Sequence, residues 1–411
     1  MSLFPNRLVP PLKWLMFVLT GVVLSLPALA QAEQQACVAT GNWQSPRDGS
    51  TIKQSKLLDD MAKRPIVLLG EAHTSDEHHR WQLHTLAALY GRNPNMVLGF
   101  EAFPRAVQPI LDRWIRGELS EKEFIDLSRW NDTWRYDPGL YMPLFHFARM
   151  HRIPMRALNV ERSLIGAVSK DGWASIDSAR REGVSDPKAP SKAYRESLTK
   201  VFAMHGEDKQ EKQPEPALSK ADAERLARFI EVQTIWDRAM AEALAQVRTA
   251  GGKPLVVAIV GRGHVEYGFG IPHQLADLGI DNTAVLLPWD KGQPCELLKT
   301  ADDLTIAEAV FGVDEPAASA SPAPPMLGVQ IENTDKGVRV VKVVGGSVAA
   351  AAGLQAGDIV AEAGAVKMTK TMELVSTIHA ISPGSWLPLV ILRDGKALEV
   401  IAKFPHQPHQ P

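Results

Sequence analysis

Along the first two-thirds of the chain, apolar residues gather in short unbroken runs separated by polar stretches. The run at residues 66–69, inside PIVLLGEAH (65–73), predicts a buried strand, because a parallel strand covered on both faces needs no polar alternation. Gly70 breaks the run. If the backbone stays extended beyond it, Glu71 and His73 lie two residues apart and emerge on one side past the strand's C-terminal end. In open α/β sheets that is where ligands bind. PLVVAIVGRGH (254–264) repeats the design, an apolar run and a glycine turn ending in His264. MVLGFEAF (96–103), with Glu101 near its end, IPMRALN (153–159) and residues 283–287 add three more strands.

Helical patterns fall between these runs. Residues 56–63, 77–90 and 107–115 read as helices, the second capped by Thr74, Ser75 or Asp76 and closed by Gly91. Residues 221–247 form a long amphipathic pattern, with Leu226, Phe229, Ile230, Gln233, Trp236 and Met240 at helical spacing. Residues 298–313 read as a closing helix. The alternation implies an α/β fold, a three-layer, mostly parallel sheet. About residues 163–248 interrupt it, an expected helical lid insertion over the sheet's C-terminal edge. EPAASASPAPP (315–325) is a Pro/Ala/Ser linker that cannot pack a core. The domain plan is thus 40–313, a linker at 314–325, and a small, mostly β unit at 326–405.

At 411 residues the chain exceeds what one core usually fills, which agrees with two domains. A formal net charge of -2 gives nucleic acid binding no electrostatic support. Arg7 and Lys13 precede an apolar stretch at 15–26 and then Pro27-Ala28-Leu29-Ala30, the pattern of a cleaved signal peptide covering residues 1–30. The stretch is short for a membrane span. Gln34-Gln35-Ala36 before Cys37 lacks the large aliphatic residue of a lipoprotein signal. A soluble periplasmic protein is therefore expected, in which the two cysteines, Cys37 and Cys295, can pair.

Several chemistries are excluded by pattern. Asp76-Glu77-His78-His79 is not H-E-x-x-H, Glu266 stands where a dinucleotide loop needs its third glycine, and no G-x-S-x-G occurs. What remains is Glu71, His73, Glu101 and His264. Carboxylates with imidazoles suit a divalent metal ion or general acid–base work. His78, His79 and His84 read as solvated or hydrogen-bonded helical residues. The aromatic segment RWNDTWRYDPGLYMPLFHFARM (129–150) offers Trp130, Trp134, Tyr136 and Tyr141 as walls for a flat apolar ligand. A tyrosine phenolate there could ligate ferric haem, and Arg or Lys could take its propionates.

A set of motifs occurs in fixed order: GEAHTSDEHH, Glu101-Ala102-Phe103, Trp134 with Tyr141-Met142-Pro143, Ala157-Leu158-Asn159, Gln233 with Trp236-Asp237-Arg238-Ala239-Met240, and GRGH closing at Pro288-Trp289. Over roughly residues 56–313 this resembles the ChaN family of haem-binding uptake proteins, similar in fold to the Tiki proteases and erythromycin esterases. The resemblance implies haem held by a tyrosine near a homodimer contact, in the service of iron acquisition. Tyr141 ranks first because it lies within a matched motif, Tyr136 second, with His73 and His264 beside the cofactor. The hydrolase relatives use residues matching Glu71, His73, Glu101 and His264, so a metal-dependent hydrolase is the alternative. The tail, from Met326-Leu327-Gly328-Val329 through Ser347-Val348-Ala349 to Ala356-Gly357-Asp358-Ile359-Val360, resembles a bacterial PDZ domain. That resemblance implies a peptide or protein C-terminus added at the sheet edge, its carboxylate received around Leu327, Gly328 and Val329.

Overall fold

The structure is a computed structural model, and it describes residues 37–206, 219–300, 302–314, 325–379, 381 and 384–405. The signal-peptide segment and all but the ends of the linker lie outside the described residues. Two sheets form. The first is built from β1 (Trp43–Gln44), β2 (Thr51–Ile52), β3 (Ile66–Glu71), β4 (Met96–Pro104), β5 (Met155–Asn159), β6 (Leu255–Gly261), β7 (Thr283–Asp290) and β8 (Ala309–Val313). Their spatial order is β2-β1-β8-β7-β3-β6-β4-β5, parallel from β8 to β5.

The unbroken apolar runs work as expected for strands covered on both sides. Val67, Leu69, Leu98, Phe100, Val257 and Ile259 face one layer. There they pack with α1 (Gln54–Met61), α2 (Asp76–Tyr90), α3 (Gln108–Ile115), α4 (Glu121–Leu127), the short α5 (Trp130–Thr133) and α6 (Pro138–Met150). Ile66, Leu68, Val256, Ala258 and Val260 face the other, where Met240 and Leu244 of the long helix and Leu275 close the layer. Residues 66–69 are wholly buried, and each such side chain contributes about 1.5–3 kcal/mol.

The insertion contributes α7 (Arg162–Asp171), α8 (Lys192–Gly206) and α9 (Lys220–Thr249); α10 (Ile271–Asp277) follows β6. The closing helix expected at 298–313 is not there. A 3-10 turn (Cys295–Leu298) and a loop lead instead into β8, whose Leu286↔Ala309 to Asp290↔Val313 register extends the sheet. The compact run Ala309-Val310 beside Phe311 is a strand pattern, and Leu298 and Ile306, which complete the helical spacing in sequence, belong to the 3-10 turn and the loop before it. The hairpin β1–β2 adds an antiparallel edge that two-residue strands could not announce in sequence.

The second unit is an antiparallel sheet of β9 (Val329–Thr334), β10 (Gly337–Val343), β11 (Ile359–Ala363), β12 (Val366–Lys367), β13 (Trp386–Arg393) and β14 (Lys396–Lys403). Its order is β14-β13-β11-β10-β9, with β12 on β11. Two helices, α11 (Val348–Ala351) and α12 (Thr371–His379), join a separate core that includes Val338, Val360, Leu374 and Ile391.

Candidate functional site

Strands β3, β6 and β4 are neighbours, so the three C-terminal ends that carry the expected residues lie side by side. Glu71 pairs in register with Gly261, and Phe100, just before Glu101, with Ile259. Glu71, His73, Glu101 and His264 therefore do meet at one rim.

Glu71 is almost fully buried. Its Oε1 accepts a hydrogen bond from the Tyr141 hydroxyl at 2.6 Å and faces His73 Nδ1 at 2.8 Å. His79 Nδ1 lies 3.0 Å from Oε2 as an ion pair, without hydrogen-bond geometry. Burial alone would raise the Glu71 carboxyl, but the hydrogen bond to His73 and the charges of His73 and His79 outweigh it and hold it at about 2. His79 has a constrained protonation state. Gln82 donates its amide to the Leu69 carbonyl, which turns its oxygen towards His79 Nδ1 at 3.1 Å. On the other side His79 Nε2 meets the His73 carbonyl at 3.3 Å. Both ring nitrogens thus face acceptors, an arrangement that only the imidazolium satisfies. Its pKa is raised accordingly, Glu71 overcoming the effect of burial.

A second pair stands opposite. His264 Nδ1 is 2.7 Å from Asp237 Oδ1, and its Nε2 is 3.6 Å from Glu101 Oε1. Asp237, on α9, also accepts the Tyr194 hydroxyl of α8 at 2.9 Å. Burial pushes His264 down, but the Glu101 and Asp237 carboxylates win and hold it at about 9. Burial raises Asp237 itself, against its partners. Glu101 Oε2 accepts the Gly261 amide at 2.6 Å. The pairs nearly touch, because a Cβ on Gly261 would stand 2.8 Å from His73 Cε1 and 3.4 Å from Glu101 Oε2.

The His73 ring is one-quarter exposed and forms the open side of the rim. Trp134 meets it edge-on at 4.7 Å and Tyr136 at 5.1 Å. Its pKa is raised, Glu71 and Glu101 outweighing burial.

Three expectations change here. Tyr141, ranked first as a haem ligand, is 1% exposed and spends its hydroxyl on Glu71; burial and the Glu71 charge push its pKa upward, away from phenolate formation. Tyr136, ranked second, is half-buried at the rim. The metal set of Glu71, His73, Glu101 and His264 does not form one, since among the described residues no three His, Cys, Asp or Glu side chains are placed to hold a metal ion. Glu71 and Glu101 are committed to His73, Tyr141 and the Gly261 amide instead. The two cysteines are free thiols in the structure, yet they are neighbours: burial and a hydrogen bond to Cys295 raise Cys37 to about 11.

Sequence reasoning missed His79, Asp237 and Tyr194 as members of the site. The signal available was Asp237 on the apolar face of a helix, where an ionisable side chain is rarely tolerated unpaired.

In the second unit Gly328 has φ +80°, and a Cβ there would lie 2.3 Å from Ser347 Cβ. The Leu327 and Gly328 carbonyls accept from Ala349 and Val344. β9 lies at the sheet's end, and the Thr371 amide of α12 donates to Asn333 of β9 at 2.7 Å.

Comparisons with known proteins match two family profiles. The profile of the PDZ domain matches residues 325–403. The serine endoprotease of Yersinia pestis is 26% identical, covering 20% of this chain and 28% of its own, with a TM-score of 0.18. The HtrA-type protease AlgW bound to a decapeptide is 21% identical, covering 20% and 29%, with a TM-score of 0.19. For the first domain, ChaN of Campylobacter jejuni, solved with cofacially bound haem, is 17% identical. It covers 66% of this chain and 95% of its own, with a TM-score of 0.49. No curated protein matches. The profile described as haem-binding uptake, Tiki superfamily, ChaN spans residues 57–275, so it takes in the whole rim from Glu71 to His264, and by that match the chain belongs to the ChaN family.

Proposed function

We propose that this chain is an exported, periplasmic haem-binding protein of haem and iron uptake, ligating ferric haem through Tyr136 and docking a partner through its PDZ domain. The observation that carries the reading is the setting of Tyr136. It stands half-buried at the rim beside His73 and Trp134, and its hydroxyl meets no hydrogen-bond partner among the described residues. A phenol open on its oxygen side between aromatic walls fits a ferric porphyrin, for which tyrosinate is an established axial ligand. Arg135, exposed next to it, makes one long contact of 3.4 Å to the Asp132 carbonyl, which leaves its guanidinium for a propionate. His73, whose pKa is raised by Glu71 and Glu101 against burial, stands 5.1 Å from the Tyr136 ring.

Export rests on the N-terminal signal pattern. Association of two copies at the rim belongs to the same reading, and sedimentation with and without haemin measures it. The PDZ reading rests on the open edge of β9 and on the Leu327 and Gly328 amides, which donate to no described residue. A peptide ending in a free carboxylate is the expected occupant, its strand continuing from Val329.

The test is a Soret titration of the full mature chain with haemin. Tyr136→Phe is expected to lose the tyrosinate-type ferric spectrum, whereas Tyr141→Phe keeps it. A Tyr136→Phe spectrum identical to wild type overturns the assignment.

A further inference from the structure

A groove of about 1130 Å³ opens between α7, α8 and the N-terminal half of α9, outside the rim but sharing a wall with it. The shared wall is Trp236, whose ring lies perpendicular to His264 with centroids 6.3 Å apart. Its volume stands at the upper end of the roughly 300–1,000 Å³ of ordinary small-molecule sites. Its apolar surface is built around Phe202 and Phe229, 5.7 Å apart, together with Trp236.

Charge is distributed unevenly around it. Lys170, Arg225 and Arg228 line the groove against one carboxylate, Glu224. Lys170 has no ion-pair partner among the described residues. Arg225 reaches Asp222 at 3.2 Å and lies 5.8 Å from the Phe202 ring centre, a solvent-exposed pair that a ligand carboxylate can replace at little cost. No Tyr, His, Cys or Met lines the groove, so it offers no axial ligand to iron.

We infer that this groove is a second binding site, one that holds a flat porphyrin-type dicarboxylate by ring stacking and by Lys170 and Arg225, independently of any metal in the ring. The inference builds on the haem reading above but needs none of the Tyr136 chemistry. Stacking on aromatic faces supplies the apolar part of the affinity, and charge-assisted contacts to carboxylates fix the ring's orientation.

Metal-free protoporphyrin, followed by its fluorescence on the full mature chain, tests this directly. It is expected to bind wild type and Tyr136→Phe equally, and the Lys170→Glu/Arg225→Glu double variant about tenfold more weakly, the loss of one charge-assisted contact or more. Both substituted positions are exposed, and circular dichroism confirms that the fold is kept. Phe229→Ala weakens binding through the stacking term. Failure of wild type to bind the metal-free ring, equal binding by the charge-reversed variant, or equal competition by a long-chain fatty acid overturns the proposal. A Tyr136→Phe variant that keeps both metal-free binding and the wild-type haemin spectrum separates the two readings: the groove then stands and the Tyr136 assignment falls.

Discussion

Substituting Glu71→Gln removes one negative charge from the buried end of β3 while keeping the side chain's volume. In the wild type that charge is held by the Tyr141 hydroxyl, by His73 at 2.8 Å and by His79 at 3.0 Å. Lowering the Glu71 carboxyl from its ordinary 4.5 to about 2 corresponds to ~3 kcal/mol. A depressed carboxylate contributes stability that is full above its unfolded value and is lost as pH falls through its folded one. His73 and His79, both raised above 6.5, contribute in full below 6.5 and lose that contribution as pH rises through their elevated values. The two windows overlap between 4.5 and 6.5. In that interval the variant is expected to trail wild type by ~3 kcal/mol, or roughly 6–12 °C in the first domain's melting temperature. Thermal unfolding by near-ultraviolet circular dichroism, which reports the tryptophans packed in that domain, measures the difference across pH. It should shrink towards both acid and alkali. A difference that stays constant from strong acid to alkali refutes the charge argument and leaves Glu71 a role of shape alone.

Gly261→Ala should drive a methyl against His73 Cε1, destabilising by about 1–3 kcal/mol and weakening haemin binding; a melt and a Soret titration measure both, and an unchanged titration counts against His73 as a neighbour of the ligand. Under oxidising conditions Cys37 and Cys295 should join, lowering the intact mass by two hydrogens and stabilising the first domain by about 2–5 kcal/mol, with Cys37→Ser as control. Two free thiols persisting after oxidation contradict this. Gly328→Ala places a Cβ at φ +80° against Ser347, so fluorescence polarisation should show loss of binding to peptides with a free C-terminal carboxylate while haemin binding stays intact.

The strands were legible because a buried parallel strand leaves an unmistakable trace, and the glycine turns after Leu69 and Val260 marked where polar side chains could emerge. Which of those ends are neighbours is a matter of topology: β6, far along the chain, inserts between β3 and β4. That placement is seen in the structure and not in the sequence pattern. The choice between tyrosines was not legible by pattern. Tyr141 lies in the first turn of α6 on its inward face, whereas Tyr136 precedes the Asp137 cap in an exposed turn, and five residues of sequence give no sign of that reversal.

The partners that set the electrostatics come from helices, and for a physical reason. A strand-end imidazole can direct one nitrogen at the open rim only if something in the covering layer binds the other. For His73 the strand itself supplies Glu71, two residues away. His264 closes the 3-10 turn after β6; the residue two before it is Arg262, and Glu266, two after it, is paired with Arg262, so its acceptor comes from α9, the helix packed on that face. Asp237 meets the need from the same buried face as Met240 and Leu244, where an unpaired carboxylate would be expensive to bury. Tyr194 then satisfies the second oxygen from α8. The insertion is thereby bound to the sheet through Tyr194, Asp237 and His264.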